Sequence, residues 1–457
     1  CPHREKLGWL DVPNEMFNSL VYNYDMENFF KKVVLDCFDA QYSNGRVPST
    51  VPHFMSVYDD DPNWGGAAIL VPYRSWKTYG DVTTMTKFYP QMKKLMDYYT
   101  SKTVNHIMPG SNYSVLSDWG QETAGVNPMV PGEFTITTTY YYMLNAMAEI
   151  ASFLGKDVDA KGFLTQAQNT KKAFNERFYK DGVYGYGQQS EFAMPLYYGL
   201  VDQENEELVA AKLAERVKKD NYKIKTGEIG LKPLFMSLAK YGYNDIVYQM
   251  ANQTDCPSYG YWVKQGYTTT PEYWDVGAFS QNHCMMDHIE EWFFSQLGGI
   301  RNDGNGFDIV RIEPWIPEDM NHLDVTTRSI YGNIRCHYER GVDNEMNYTF
   351  EIPANSQANI VLPCLNHQSV FENGKDVKNG EKGVVSVEYR DGKAYLKMGS
   401  GNYTLQIKKK EATGIQEVNI SRARLNDVYY DLEGRNHGKV RPSQKGIFIW
   451  NQKKVVL

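Results

Sequence analysis

The chain has 457 residues, too many for one simple core, so two or three units are expected. A hydrophobic fraction of 42% and a charged fraction of 23% are those of a globular protein, and no apolar run approaches the roughly 20 residues of a membrane helix. The formal net charge of −7, without a basic patch to neutralise phosphates, argues against a nucleic-acid partner.

Residues 1–298 read as helices joined by long aromatic loops. After CPHREKLGWLD (1–11), Pro13 opens a helical run through Phe17, Leu20, Val21, Tyr24, Phe29 and Val33 to Phe38. Further helices are expected near 66–79 and 82–100, the second with Asp81 as N-cap, then near 133–154 and 158–178. Shorter ones fit 188–200, 204–219, 228–240 and 243–252. A last helix through Met285, Ile289, Trp292 and Leu297 ends at Gly298-Gly299. Helix pair after helix pair suggests a ring of helical hairpins. Long loops inside such a domain are commonly functional.

The period changes near residue 300. Segments 325–339, 347–363 and 384–408 alternate or carry β-branched runs, with Arg390-Asp391-Gly392 as a hairpin turn. They predict an antiparallel β-sandwich over 299–410. The remainder, 411–457, reads as a small β-rich module behind the linker EATGIQE. The six cysteines (1, 37, 256, 284, 336, 364) show neither a CxxC pair nor zinc spacing, so free thiols and no metal site are expected. Cys256 and Cys284 flank one loop, which leaves a disulfide between them open.

That loop, PSYGYWVKQGYTTTPEYWD (257–275) with QNH (281–283) beyond it, holds an isolated acid, Glu272, among tyrosines and tryptophans. Gly260 and Gly266 mark it as loop and not helix. Aromatic rings offer flat apolar faces to the C–H side of a pyranose, and a carboxylate can hold a water or a proton. A structural loop with a solvated Glu272 reads equally well from these residues alone. Other loop acids are Glu5, Asp11, Asp59, Asp60, Asp61, Asp118, Glu122 and Asp275. Glu5 stands out through Arg4 before it and Gly8-Trp9 after it. An arginine lowers a neighbouring carboxyl's pKa and burial raises it, so Glu5 could be tuned either way.

CPHREKLGWLD (1–11), VPSTVPHF and NWGGAAILVPYRSWKTYGD within 47–81, SDWG (117–120), TGEIGLKPL (226–234) and the 257–283 stretch together resemble inverting bacterial α-L-rhamnosidases, glycoside hydrolase family 78. The resemblance covers about 1–408. It implies an (α/α)6 six-hairpin catalytic barrel over 1–298, then a β-sandwich, and hydrolysis of terminal α-L-rhamnosyl residues without a cofactor. It makes Glu5 the general acid and Glu272 the general base. It further implies substrate contacts by Arg4, Trp9, Asp11, Trp64, Asp118, Trp119, Trp274 and His283, with Asp11 one position out of register. The family's Asp before the Cys would lie upstream of Cys1. Two other readings stay open: a non-catalytic rhamnoside-binding homologue, and another six-hairpin glycosidase or lyase. The last segment resembles tails of exported proteins of anaerobic bacteria, implying a periplasmic or extracellular location and a rhamnose-containing glycoside or polysaccharide as partner.

Overall fold

The computed structural model describes the chain apart from residues 1–2, 55–57, 59, 111–114, 276–279, 343–344, 410–427, 440–441, 444, 451–452 and 457. Cys1, Asp59 and the 411–417 linker therefore lie outside the described residues. The chain divides into two compact units, 1–408 and 409–457.

In the first unit the helices come first: α1 (Asp11–Glu15), α2 (Phe17–Asn23), α3 (Glu27–Asp39), α4 (Pro62–Gly65), α5 (Ala67–Tyr79), α6 (Thr83–Lys102) and α7 (Gly132–Phe153). They continue with α8 (Asp157–Phe178), α9 (Gln189–Tyr198), α10 (Glu206–Lys219), α11 (Glu228–Lys240), α12 (Asn244–Asn252), α13 (Tyr259–Lys264) and α14 (Ile289–Trp292). Between α8 and α9 a short hairpin pairs β1 (Tyr179–Lys180) with β2 (Val183–Tyr184). Successive helices pack on one another, α7 on α8 and α9 on both α10 and α11. One apolar cluster runs through them from Leu10 to Leu297.

Several helix starts follow from their side chains. Asp81 accepts from the Thr83 backbone N–H at 3.0 Å and so steadies the start of α6, but it stands one residue before the N-cap, which is Val82 and not Asp81. Gln188 and Glu191 form a reciprocal capping box on α9. Two further expectations need correction. The single run from Pro13 to Phe38 is three helices, broken at Met16 and at Tyr24, whose φ of −136° and ψ of 153° are extended backbone. The 257–275 stretch is not all loop, because Ser258 accepts from the Tyr261 N–H and starts the short helix α13.

From Ile300 onward the unit is β-rich. Strands β3 (Ile300–Asn302), β4 (Ile309–Ile312), β5 (His322–Ser329), β6 (Gly332–Arg340), β7 (Met346–Ile352) and β8 (Gln357–Pro363) come first. β9 (Gln368–Glu372), β10 (Lys375–Asp376), β11 (Val384–Arg390), β12 (Lys393–Met398) and β13 (Gly401–Lys409) follow. One sheet has the order β10-β9-β13-β7-β6-β5 and the other β11-β12-β8-β4-β3. Alternate residues of both sheets, such as Ile334, Tyr348 and Leu405 of one and Ile312, Ile360 and Leu396 of the other, share one core. The pattern is not purely antiparallel: β4 runs parallel to β8, with Val310 opposite Ala358. Helical and β regions are joined by hydrogen bonds, including Tyr22 Oη to the Ile300 carbonyl at 2.8 Å and Asn302 Nδ2 to the Lys77 carbonyl at 2.7 Å.

The second unit is a three-stranded antiparallel sheet, β14 (Tyr429–Asp431), β15 (Ile447–Trp450) and β16 (Lys453–Val456). No helix among the described residues is long and apolar enough to cross a membrane.

Candidate active site

Three loops that are remote in sequence meet at one cavity of about 590 Å³. The first carries Arg4, Glu5 and Trp9. It is pinned by a short two-stranded bridge, with Leu10 N–H donating to Ser49 and Val51 N–H to Gly8. A side chain at Gly8 has no room, since a Cβ there would lie 2.0 Å from the Val51 carbonyl oxygen. The second loop carries Trp119. It is held by Asp61, one oxygen of which accepts from the N–H groups of Leu116 and Ser117 at 3.0 Å. The third carries Glu272 and His283, and is closed on itself by Glu272 N–H to Ser280 and His283 N–H to Thr270.

The two acids singled out in the sequence meet through one cation. Arg4 Nη1 donates to Glu272 Oε2 at 2.8 Å, and Arg4 Nη2 lies 3.2 Å from Glu5 Oε1. Each acid also accepts from an indole: Trp9 Nε1 to Glu5 Oε2 at 2.8 Å, and Trp119 Nε1 to Glu272 Oε1 at 3.1 Å. A guanidinium is a rigid planar fork. Both carboxylates are therefore held at the same place, by a residue that lies 268 positions from Glu272 in the chain.

Asp11 begins α1 and is 3% exposed, and its Oδ1 has no hydrogen-bond partner among the described residues. Burial, reinforced by the neighbouring Glu228 carboxyl, pushes its carboxyl well above the usual carboxylate range. Trp64 lines the same cavity from α4, and Val12, Val33, Val51, Leu116 and Met285 supply apolar wall. His283 lines it too, with Nε2 2.8 Å from Glu228 Oε2.

Not every expected residue reaches the cavity. Trp274 is fully buried, stacked on Trp262 with ring centroids 4.6 Å apart, and donates from Nε1 to the Thr226 carbonyl. It is a core residue that supports the loop. Asp118 lies behind Trp119, where it accepts from Ser190 Oγ at 2.6 Å and from the Gly230 N–H at 2.8 Å, tying down the start of α11. It faces a smaller adjoining cavity of about 160 Å³, shared with Trp119, Tyr58 and Glu122. Glu228, by contrast, was not singled out in the sequence, yet it lines the main cavity at 2% exposure. Its only signal was an acid inside TGEIG, where it passes for an ordinary first-turn helix residue.

Among the described residues no group of three or more His, Cys, Asp or Glu is arranged to hold a metal ion. Cys256 and Cys284 are not bonded to each other.

The helical domain that carries this cavity is of the six-hairpin glycosidase class. The chain is a member of the bacterial α-L-rhamnosidase family. Residues 1–297 match the bacterial α-L-rhamnosidase six-hairpin glycosidase domain, and 299–376 match the bacterial α-L-rhamnosidase C-terminal domain. An α-L-rhamnosidase of Formosa agariphila is 27% identical over 445 residues, covering 90% of this chain and 45% of that protein. One from Streptomyces avermitilis is 24% identical, covering 88% and 38%. The solved structure of α-L-rhamnosidase from Dictyoglumus thermophilum superposes with a TM-score of 0.81 at 28% identity, covering 90% of this chain and 47% of that one. That of the Streptomyces avermitilis enzyme complexed with L-rhamnose gives 0.80 at 22%, which speaks for the fold, covering 88% and 38%. The chain spans less than half the length of these relatives.

Proposed function

We propose that this chain carries the catalytic centre of an α-L-rhamnosidase that cleaves terminal α-L-rhamnosyl residues with inversion. The observation that carries this reading is the Arg4 bridge, which sets Glu5 and Glu272 together at an aromatic cavity. Glu5 delivers a proton to the glycosidic oxygen as the C1–O bond breaks. Glu272 takes a proton from a water that attacks C1 from the opposite face, through an oxocarbenium-like transition state. Inverting pairs stand roughly 6.5–9.5 Å apart to admit that water. The rings of Trp9, Trp64 and Trp119 face the sugar's C–H surface, the apolar wall receives the 6-deoxy methyl, and Asp11 offers its unpartnered oxygen to a hydroxyl. No step requires a metal or an organic cofactor.

On this reading the helices of 1–298 form an (α/α)6 barrel, 299–410 the accompanying β-sandwich, and 411–457 a separate tail module. We further propose an exported location, supported by the tail's resemblance to those of exported proteins and testable by cell fractionation. The mechanism is tested with an aryl α-L-rhamnoside, following the first-formed anomer by proton NMR. β-L-Rhamnose is expected at first, and Glu272→Gln should abolish its release while L-rhamnose still binds. α-L-Rhamnose as first product, or turnover retained by Glu272→Gln, would overturn the assignment.

A further inference from the structure

Within the cavity one contact has no part in the two-acid scheme: Glu228 Oε2 against His283 Nε2 at 2.8 Å. Glu228 sits at the first turn of α11, and its N–H donates to the Trp119 carbonyl at 2.9 Å. It is thus fixed to the loop whose indole holds Glu272. His283 is fixed by its own N–H to Thr270. Both backbones are anchored, and the Glu228 side chain is 2% exposed, which leaves it little room to turn away from His283.

A hydrogen bond at one imidazole nitrogen decides what the other nitrogen offers. If the acid donates, Nε2 is the acceptor, and the ring's single proton must sit on Nδ1. If the acid accepts, the proton sits on Nε2 and Nδ1 is a lone pair. We propose that Glu228 is a positioning residue which, as a neutral carboxylic acid, donates to His283 Nε2 and so makes Nδ1–H a hydrogen-bond donor to a sugar hydroxyl. This rests on the proposed rhamnosidase reading for its ligand, though not for the tautomer itself.

The surroundings favour this arrangement. Burial, and then the charges of Glu272, Asp118, Asp61 and Glu122, hold the Glu228 carboxyl well above its usual range. Burial also lowers the basicity of His283, against the pull of Asp11, Glu272 and Glu5. Two neutral partners sharing one proton in a hydrogen bond are the result. Ionising Glu228 would add a charge to a cavity already lined by Glu5, Asp11 and Glu272, with Arg4 bridging two of these. The device therefore supplies a donor without adding a charge to the base's surroundings.

The test is nitrogen-15 NMR on protein carrying labelled histidine, with His283→Asn to assign the signal. The neutral Nδ1–H form is expected for His283 at pH 7. A ring protonated on Nε2, or an imidazolium, would overturn the proposal whatever the activity. Glu228→Ala should return the ring to the Nε2–H form and weaken L-rhamnose binding by calorimetry, roughly three- to tenfold. Glu228→Gln, whose amide can still donate to Nε2, should keep the Nδ1–H form and bind within about threefold of the parent. A Glu228→Ala protein with unchanged tautomer and affinity would sink the idea. If the parent protein fails to bind L-rhamnose, the functional reading falls, while the tautomer result still judges Glu228.

Discussion

Replacing Arg4 with alanine removes a group that touches both proposed catalytic acids. Its contact to Glu272 is 2.8 Å and nearly buried on the acid's side, with the Glu272 side chain 6% exposed and that of Arg4 36%. The contact to Glu5 is 3.2 Å, and Glu5 is 29% exposed. A charge-assisted hydrogen bond out of water contributes about 1.5–3 kcal/mol, whereas an exposed ion pair gives about 0–1. The first contact belongs near 1.5 kcal/mol and the second near 0.5. If both persist in the transition state, kcat/KM should fall by about 30-fold, at roughly 1.4 kcal/mol per decade. Arg4→Lys keeps a single point donor without the fork, so it should recover the better contact and lose less than tenfold. The assay is aryl α-L-rhamnoside hydrolysis alongside thermal unfolding, where both variants should melt near the parent because the Arg4 side chain is 36% exposed. An alanine variant within threefold of the parent would show that the bridge does not organise the acids.

Gly8→Ala would bring a Cβ to 2.0 Å from the Val51 carbonyl oxygen, a backbone atom that cannot turn aside. The bridge that carries Glu5 and Trp9 should open, with activity reduced more than tenfold and stability lower by about 1–3 kcal/mol in urea titrations; normal activity would show that the bridge is dispensable. A pH effect is expected at Glu191, which does not line the cavity. It is fully buried, one oxygen accepts from the Tyr186 and Gln188 N–H groups, the other has no partner among the described residues, and burial pushes its carboxyl up to about 7. The folded chain thus holds this proton more tightly than the unfolded chain, so its contribution declines as pH rises from about 4.5 to about 7. Glu191→Gln should remove on the order of 2–3 kcal/mol of that decline, measured as unfolding free energy at pH 5 and 7.5. An identical slope in the variant would refute the assignment.

The helices were legible wherever an apolar face repeats over several turns, as in α6, α7 and α8. Where a break depends on two or three residues, as at Met16 and Tyr24, periodicity runs across it. β3 and β4 were missed because three or four residues are too few to show alternation, and the parallel β4–β8 pairing leaves no local trace. At the site, Glu5 and Glu272 were legible because each lies in a motif whose neighbours hold it: Trp9 four residues after one acid, and the loop from Thr270 to His283 around the other. Trp274 shares the second motif but faces the other way, into Trp262, and residue type does not report facing. Asp118 shows the same limit. An acid beside a cavity tryptophan reads as a ligand until its partners, Ser190 and Gly230, are known. Glu228 was missed for the converse reason, since an acid at a helix start has an ordinary explanation.

These misreadings share a cause that bears on how the site is built. Asp118 ties α11 to the Trp119 loop, and Gly227 lets the two backbones meet, since a Cβ there would lie 2.2 Å from the Trp119 carbonyl oxygen. Glu228 N–H then donates to that same carbonyl. The Trp119 indole reaches Glu272, whose loop carries His283, whose ring returns to Glu228. Glu228 is therefore part of one closed circuit of hydrogen bonds and backbone that passes through the proposed base, and Asp118 fastens α11 beside it. Trp274 braces the circuit from behind, with its indole on the Thr226 carbonyl just before Gly227. A carboxylate that must hold an attacking water gains from such closure, because side chains locked by their neighbours need no reorganisation when the reaction begins. The residues that seemed misplaced as ligands are the ones that hold the ligands' loops in register.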